Sequence, residues 1–186
     1  MKPHLPTTVG RPALLQNGSD AEFRRVLHGL MSYGRMIDEI RADFGRLLGI
    51  SGIQYEILMA IQRLEGETGI AVSDVAAWIR RSGTFVTNEV RSLMQNRLVE
   101  KGKDPADGRK VLLRLTEGAR ASIAALSATQ IEINDLLFEA ISEAEFRQLG
   151  SIMAKLLPCG ERATIRMDAI TRAHSVNERL KDVNGT

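Results

Sequence analysis

The chain has 186 residues, 44% hydrophobic and 26% charged, the balance of an ordinary soluble globular protein with a real core. Aromatic residues make up only 4%, which favours helix packing over a β-sandwich. A net charge of +2 does not by itself point to a polyanionic partner, and the single Cys159 excludes an internal disulfide and suits a reducing cytoplasm.

Residues 1–18 contain three prolines and no apolar core of a signal peptide, and read as a flexible N-terminal arm. No apolar run approaches the roughly 18 residues of a membrane span. "SDAE" (Ser19 to Glu22) fits a capping box opening a helix over about 20–48. Phe23, Val26, Leu30, Tyr33, Ile37, Ile40, Phe44 and Leu47 follow at alternating spacings of 3 and 4, a heptad seam. A seam this long calls for another long helix, so residues 19–50 are assigned to a dimerisation helix.

A second helix, about 52–65, turns Ile53, Ile57, Leu58, Ile61 and Leu64 inward. After the loop "EGETG", Ser73 is expected to cap a short helix, "SDVAAWIRR", with Trp78 in the core. Ser82-Gly83 makes a tight turn, and the next helix, about 84–97, buries Val86, Val90, Leu93 and Met94. "LVEKGK" and "VLLRL" then read as a β-hairpin joined by a charged turn, "DPADG", where Pro105 and Gly108 shape the tip. Residues 117–141 are again helical. "SEAE" at 142–145 is a capping box for a helix that Pro158 should end, placing Cys159 near a helix terminus. Residues 161–183 can form one more amphipathic helix, with Ala163, Met167, Ile170, Val176, Leu180 and Val183.

The order helix, helix, turn, helix, hairpin over residues 51–117 is a winged helix-turn-helix pattern. The fold class is thus mainly α with a small β-hairpin wing, and residues 118–186 supply C-terminal dimerisation helices and a tail. Charge concentrates where this pattern lies. Residues 78–110 hold eight Lys/Arg against four acids, a local +4 in a chain of +2.

Opposite the buried positions of the third helix stand Thr84, Asn88, Arg91 and Gln95, spaced 4, 3 and 4. Asn can pair bidentately with adenine and Arg with guanine, and Thr suits a phosphate or a thymine methyl. A merely solvated face would more often carry Glu and Lys. In the hairpin, Arg109 follows the tip, and Asp107 stands two residues before it, placed to hold the guanidinium extended. An arginine on a narrow tip fits a minor groove. A calcium loop does not fit the two aspartates, because Ala106 and Gly108 alternate with them where oxygen ligands are needed.

These stretches resemble the MarR family of bacterial transcriptional regulators. "DPADGRKVLLRLTEGAR" is similar to the family's wing signature, an Asp-x-Arg followed by a strand and "LTxxG". "GTFVTNEVRSLMQNRLVEK" is similar to its recognition helix and "VSDVAAWI" to the helix before it. The resemblance implies a homodimer that binds double-stranded, pseudo-palindromic operator DNA, usually as a repressor, and is released by a small anionic or phenolic effector. It implies DNA contacts from Thr84, Thr87, Asn88 and Arg91 on the helix and Arg109 on the wing. Phe85, Asp107 and Lys110 join these candidates by position. Two departures stand out: Phe85 and Asn88 occupy places where many members carry a small hydroxyl or Arg, and the tail after Pro158 is longer than usual.

On the first helix His28, Ser32 and Arg35 form a polar stripe that could hold an effector carboxylate; a solvated helix face explains it more simply. No phosphate loop, metal motif or nucleophile elbow is present, and His4, His28 and His174 lack metal-ligand spacing, so no enzyme, metal or cofactor is expected. Two readings compete with the effector-released repressor: a winged-helix module that binds protein, and a DNA-binding regulator with no effector.

Overall fold

The computed structural model describes residues 6–104, 107 and 110–184, the last nine by backbone alone. A short 3-10 turn at Pro12–Leu14 precedes α1 (Ala21–Leu47) and α2 (Gly52–Leu64). β1 (Ile70–Ala71), α3 (Val72–Trp78), α4 (Gly83–Gln95), β2 (Val99–Lys103) and β3 (Val111–Leu115) follow. The chain continues through α5 (Glu117–Ala125), α6 (Ser127–Phe138) and α7 (Glu143–Asn184). The chain divides into two compact units, Met1–Ser127 and Ala128–Thr186.

The core of the first unit forms where the apolar stripes of α2, α3, α4 and β3 meet. Ile57, Leu58, Ile61, Val75, Val86, Val90, Leu93 and Leu113 are fully buried, each worth about 1.5–3 kcal/mol. Ile53, Leu64 and Met94, expected inside, sit half-buried at its margin. Trp78 is a correction: it is 58% exposed, because α3 ends there and Ile79, one residue on, takes the inward place.

The three strands form one antiparallel sheet in the order β1-β3-β2. β2 and β3 pair from Val99↔Leu115 to Lys103↔Val111, as the hairpin reading requires. β1 adds Ile70↔Leu113 and Ala71↔Leu112 in what the sequence shows only as a loop. Gly69 makes this possible: its φ is +105°, and a Cβ there would lie 2.7 Å from the Leu113 carbonyl oxygen.

Hydroxyl caps open three helices of the first unit. At α2 the Gln54 N–H donates to Ser51 Oγ and the Ser51 N–H to Gln54 Oε1, both at 3.2 Å, a complete capping box. Ser82 Oγ accepts from the Phe85 N–H and Thr116 Oγ1 from the Ala119 N–H. The expected caps at Ser19 and Ser73 are corrected. The residue at the N-cap of α1 is Asp20, whose carboxylate accepts no hydrogen bond from the helix backbone, and α3 already begins at Val72.

Asp20 instead ties down the preceding arm. Its Oδ2 accepts from the Thr8 N–H at 2.7 Å and the Thr8 hydroxyl at 2.8 Å, and Arg24 pairs with it at 3.0 Å. Arg24 also donates to the Pro6 carbonyl. The Thr8 N–H, more than any other neighbour, draws the Asp20 pKa down to about 2.

Near its C-terminus α1 packs on α2, with Phe44 stacked on Tyr55 at 5.5 Å. Earlier in the heptad seam Val26 and Leu30 are about half exposed. At the far end of α2 the Glu65 side chain is 5% exposed. Its Oε2 accepts the Leu115 N–H at 3.0 Å, and its Oε1 meets Arg120 Nη1 at 2.6 Å as an ion pair rather than an aligned hydrogen bond. One carboxylate thus joins α2, β3 and α5.

In the second unit Phe138 and Phe146 meet edge to face at 5.3 Å. The Ser142–Glu145 capping box forms, and the Ser142 hydroxyl holds the Glu145 carboxyl below its usual pKa. Pro158 does not end the helix, and the separate helix expected over 161–183 is the continuation of α7. A mid-helix proline costs about 3 kcal/mol, and good helix formers on both sides outweigh it. Cys159 is therefore mid-helix and exposed, with Arg162 Nη2 3.1 Å from its sulfur. The expectations for the Val176, Leu180 and Val183 side chains lie outside the described residues.

Candidate nucleic-acid interface

Burial of Val86, Val90 and Leu93 fixes the rotation of α4 about its own axis. At about 100° per residue, Thr84, Asn88, Arg91 and Gln95 then fall within about 60° of one another on the opposite side. All four are exposed. The structure thus brings the principal sequence candidates together on one open face. Thr87 and Phe85 flank that face, half-buried. The Thr87 hydroxyl donates to the Gly83 carbonyl at 2.8 Å, a bond inside the helix, and the Phe85 ring lies under the Arg81 guanidinium at 5.6 Å.

At the wing, the Lys110 N–H donates to the Asp107 carbonyl at 2.8 Å, and the Asp104 N–H to the Lys110 carbonyl at 3.1 Å. These bonds close the hairpin above Lys103 and Val111. The Lys110 side chain is exposed, and Asp107 is half-buried. Arg109, and the contact expected between it and Asp107, lie outside the described residues.

Further exposed cations flank α4 along the chain. Arg80 and Arg81 precede it, Arg97 follows it, and β2 carries Lys101 and Lys103, all exposed. The charge count in the sequence includes them, but periodicity gave no reason to single out any. Sequence reasoning also missed the support of α4 from behind. The Gln54 side chain that completes the α2 capping box donates through Nε2 to Glu89 Oε2 at 3.0 Å. One amide therefore closes a cap and holds α4 to α2. Its signal was available as Ser-x-x-Gln at 51–54.

The stripe on α1 is only partly assembled. Arg35 Nη2 donates to Ser32 Oγ at 3.1 Å, and His28 is exposed one turn earlier. A recess of about 180 Å³ lies elsewhere, between α1 and α2, lined by Asp38, Arg41, Gly52, Ile53, Glu56 and Arg81. Arg41 pairs with Glu56 there at 3.3 Å. Among the described residues no group of His, Cys, Asp and Glu could hold a metal ion, and no helix is long and apolar enough to cross a membrane.

Solved structures share the fold. CouR from Rhodococcus jostii RHA1, bound to p-coumaroyl-CoA, is 21% identical with a TM-score of 0.66, covering 74% of this chain and 95% of that one. A MarR mutant from E. coli, complexed with operator DNA, is 20% identical with a TM-score of 0.60, covering 74% and 95%. The MepR–DNA complex from S. aureus is 23% identical with a TM-score of 0.55, covering 67% and 93%. No curated protein sequence matches the chain. Residues 48–110, from the end of α1 to the wing, match the MarR family.

Proposed function

We propose that the protein is a sequence-specific, DNA-binding transcriptional regulator that acts as a homodimer on a pseudo-palindromic operator. The observation that carries this reading is the exposed Thr84, Asn88 and Arg91 face of α4. It offers an amide and a guanidinium suited to base edges on a helix held rigidly by its buried side. Thr87 and Phe85 flank it, and Lys110, Asp107 and Arg109 belong to the wing. The operator and DNA complexes among the structural neighbours support the same partner. A second copy is the natural cover for Val26, Leu27, Leu30 and Met31, all exposed on α1.

Within this reading the regulator is a repressor released by a small anionic or phenolic effector, which His28, Ser32 and Arg35 are candidates to contact. The p-coumaroyl-CoA in a structural neighbour supports a ligand of that class. A thermal-shift series with aromatic carboxylates and their coenzyme A thioesters separates this from a regulator with no effector.

The test is a titration of the full chain against the promoter region beside its own gene and against random duplex, over a range of salt. Promoter binding should exceed random binding by about 10³ or more at physiological salt. Arg109→Ala should weaken promoter binding strongly without loss of fold. A chain that binds neither duplex at low salt is a protein-interaction module instead.

A further inference from the structure

Three helices of the first unit end in the same way. After α1 the Gly49 N–H donates to the Arg46 carbonyl and the Ile50 N–H to Gly45. After α3 the Arg80 N–H donates to Ala77 and the Arg81 N–H to Ala76. After α4 the Arg97 N–H donates to Met94 and the Leu98 N–H to Leu93. This paired closure places one residue in the left-handed region, where glycine carries no steric penalty and other residues do. The φ values are +69° at Gly49, +55° at Arg80 and +56° at Arg97. Thus α1 ends with the relaxed residue, and α3 and α4 end with arginines held in a disfavoured conformation.

From this we infer that Arg80 is kept for its guanidinium, which grips a backbone phosphate of the bound duplex and so sets how α4 enters the groove. The proposal rests on the DNA-binding reading above. Its support is the location of the strain. Arg80 is exposed in the turn joining α3 to α4, two residues before the cap Ser82. Arg81 follows it, with its own guanidinium against Phe85 on the first turn of α4. The two cations therefore stand at the end of α4 where the face of Thr84, Asn88 and Arg91 begins. Glycine would close α3 with less strain and would remove the charge. Arg80 is a positioning residue here: a phosphate carries no sequence information, and fixing register on the duplex is what such a contact supplies.

Arg97 is the internal control. It has the same backbone strain at the opposite end of the 13-residue helix, about 20 Å away.

The experiment compares the wild type with Arg80→Gly, Arg80→Lys and Arg97→Gly as full chains. The probe is a fluorescein-labelled random-sequence duplex of about 30 bp, titrated from about 50 to 300 mM KCl, with Tm measured in parallel. Arg80→Gly should remain folded at the assay temperature, yet weaken binding about tenfold at ~0.1 M salt for each bound protomer. Its log–log salt dependence should be shallower by about one for each bound protomer. Arg80→Lys should keep the wild-type slope, and Arg97→Gly should match wild type in affinity and slope. If wild type binds and Arg80→Gly binds equally with the same slope, the Arg80 assignment fails alone. An equal loss in Arg97→Gly, or a large fall in Tm for Arg80→Gly, also overturns it. If wild type binds no duplex at any salt, the regulator reading fails and takes this inference with it.

Discussion

Asn88, Arg91 and Lys110 present different chemistry to a partner although all three are exposed. An amide or a guanidinium can satisfy two groups of one base edge, whereas an ammonium offers a point charge. Asn88→Ala or Arg91→Ala should therefore relax discrimination at particular base pairs, by about 1–3 kcal/mol each. Lys110→Ala should weaken all sequences alike and make the salt dependence shallower by about one per bound protomer. Titrations on operator, single-substituted operator and random duplex decide this, and equal losses on all three for Asn88→Ala would reduce that side chain to a phosphate contact. Asp20 allows a test of the arm that involves no DNA. Its folded pKa of about 2 lies below the ordinary aspartate value of 3.8, so its stabilising contribution is complete above about 4 and is lost as pH falls through 2. The Thr8 amide resonance should titrate with a midpoint near 2 and should become insensitive to pH in this range in Asp20→Asn.

Gly45 decides how α1 can meet the turn that follows it. A Cβ there would stand 2.8 Å from the Ile50 carbonyl oxygen and from the backbone of Ser51. Helix propensity alone predicts that Gly45→Ala gains about 1 kcal/mol. Overpacking against backbone costs about 1–3 kcal/mol, so the net should be a loss, seen as a lower urea midpoint. Elements with a long period were legible in the sequence: the α4 stripe defined both the buried side of that helix and its open face, and β2–β3 followed from alternation. What was not legible depends on single events or on distant partners. Two residues of β1 are too few to show a period, and only Leu112 and Leu113, some forty positions on, make them a strand. Pro158 is a strong local stop, yet its cost is small beside that of ending a long helix formed on both sides. The caps at Ser19 and Ser73 have the right residue types, but Asp20 turns to Thr8 and α3 begins one residue before Ser73. Left-handed arginines at 80 and 97 leave no mark in periodicity, because glycine is the residue such turns advertise.

At the scale of the whole molecule the exposed apolar residues call for cover. Leu30 is 47% exposed in a seam that continues into the buried Phe44, and on α7 Phe146 and Ile165 are also open. Under the homodimer proposal, Leu30→Glu should convert a dimer into a folded monomer in sedimentation at micromolar concentration. A wild type that already sediments as a folded monomer would remove the dimer from the account. The Glu65 carboxylate, which joins α2, β3 and α5, also bears on how the chain is made. Its backbone partner Leu115 lies 50 residues later. At about 5–20 residues per second, a ribosome takes roughly 3–10 s to deliver that partner, and slightly longer for Arg120. Until then α2, α3 and α4 have emerged with their apolar faces, but the sheet lacks β3 and the carboxylate has nothing to neutralise it in a closed core. Nascent chains halted before Leu115 are thus the ones that chaperones and proteases meet with an open core. The α4 helix is synthesised well before it can be held in place.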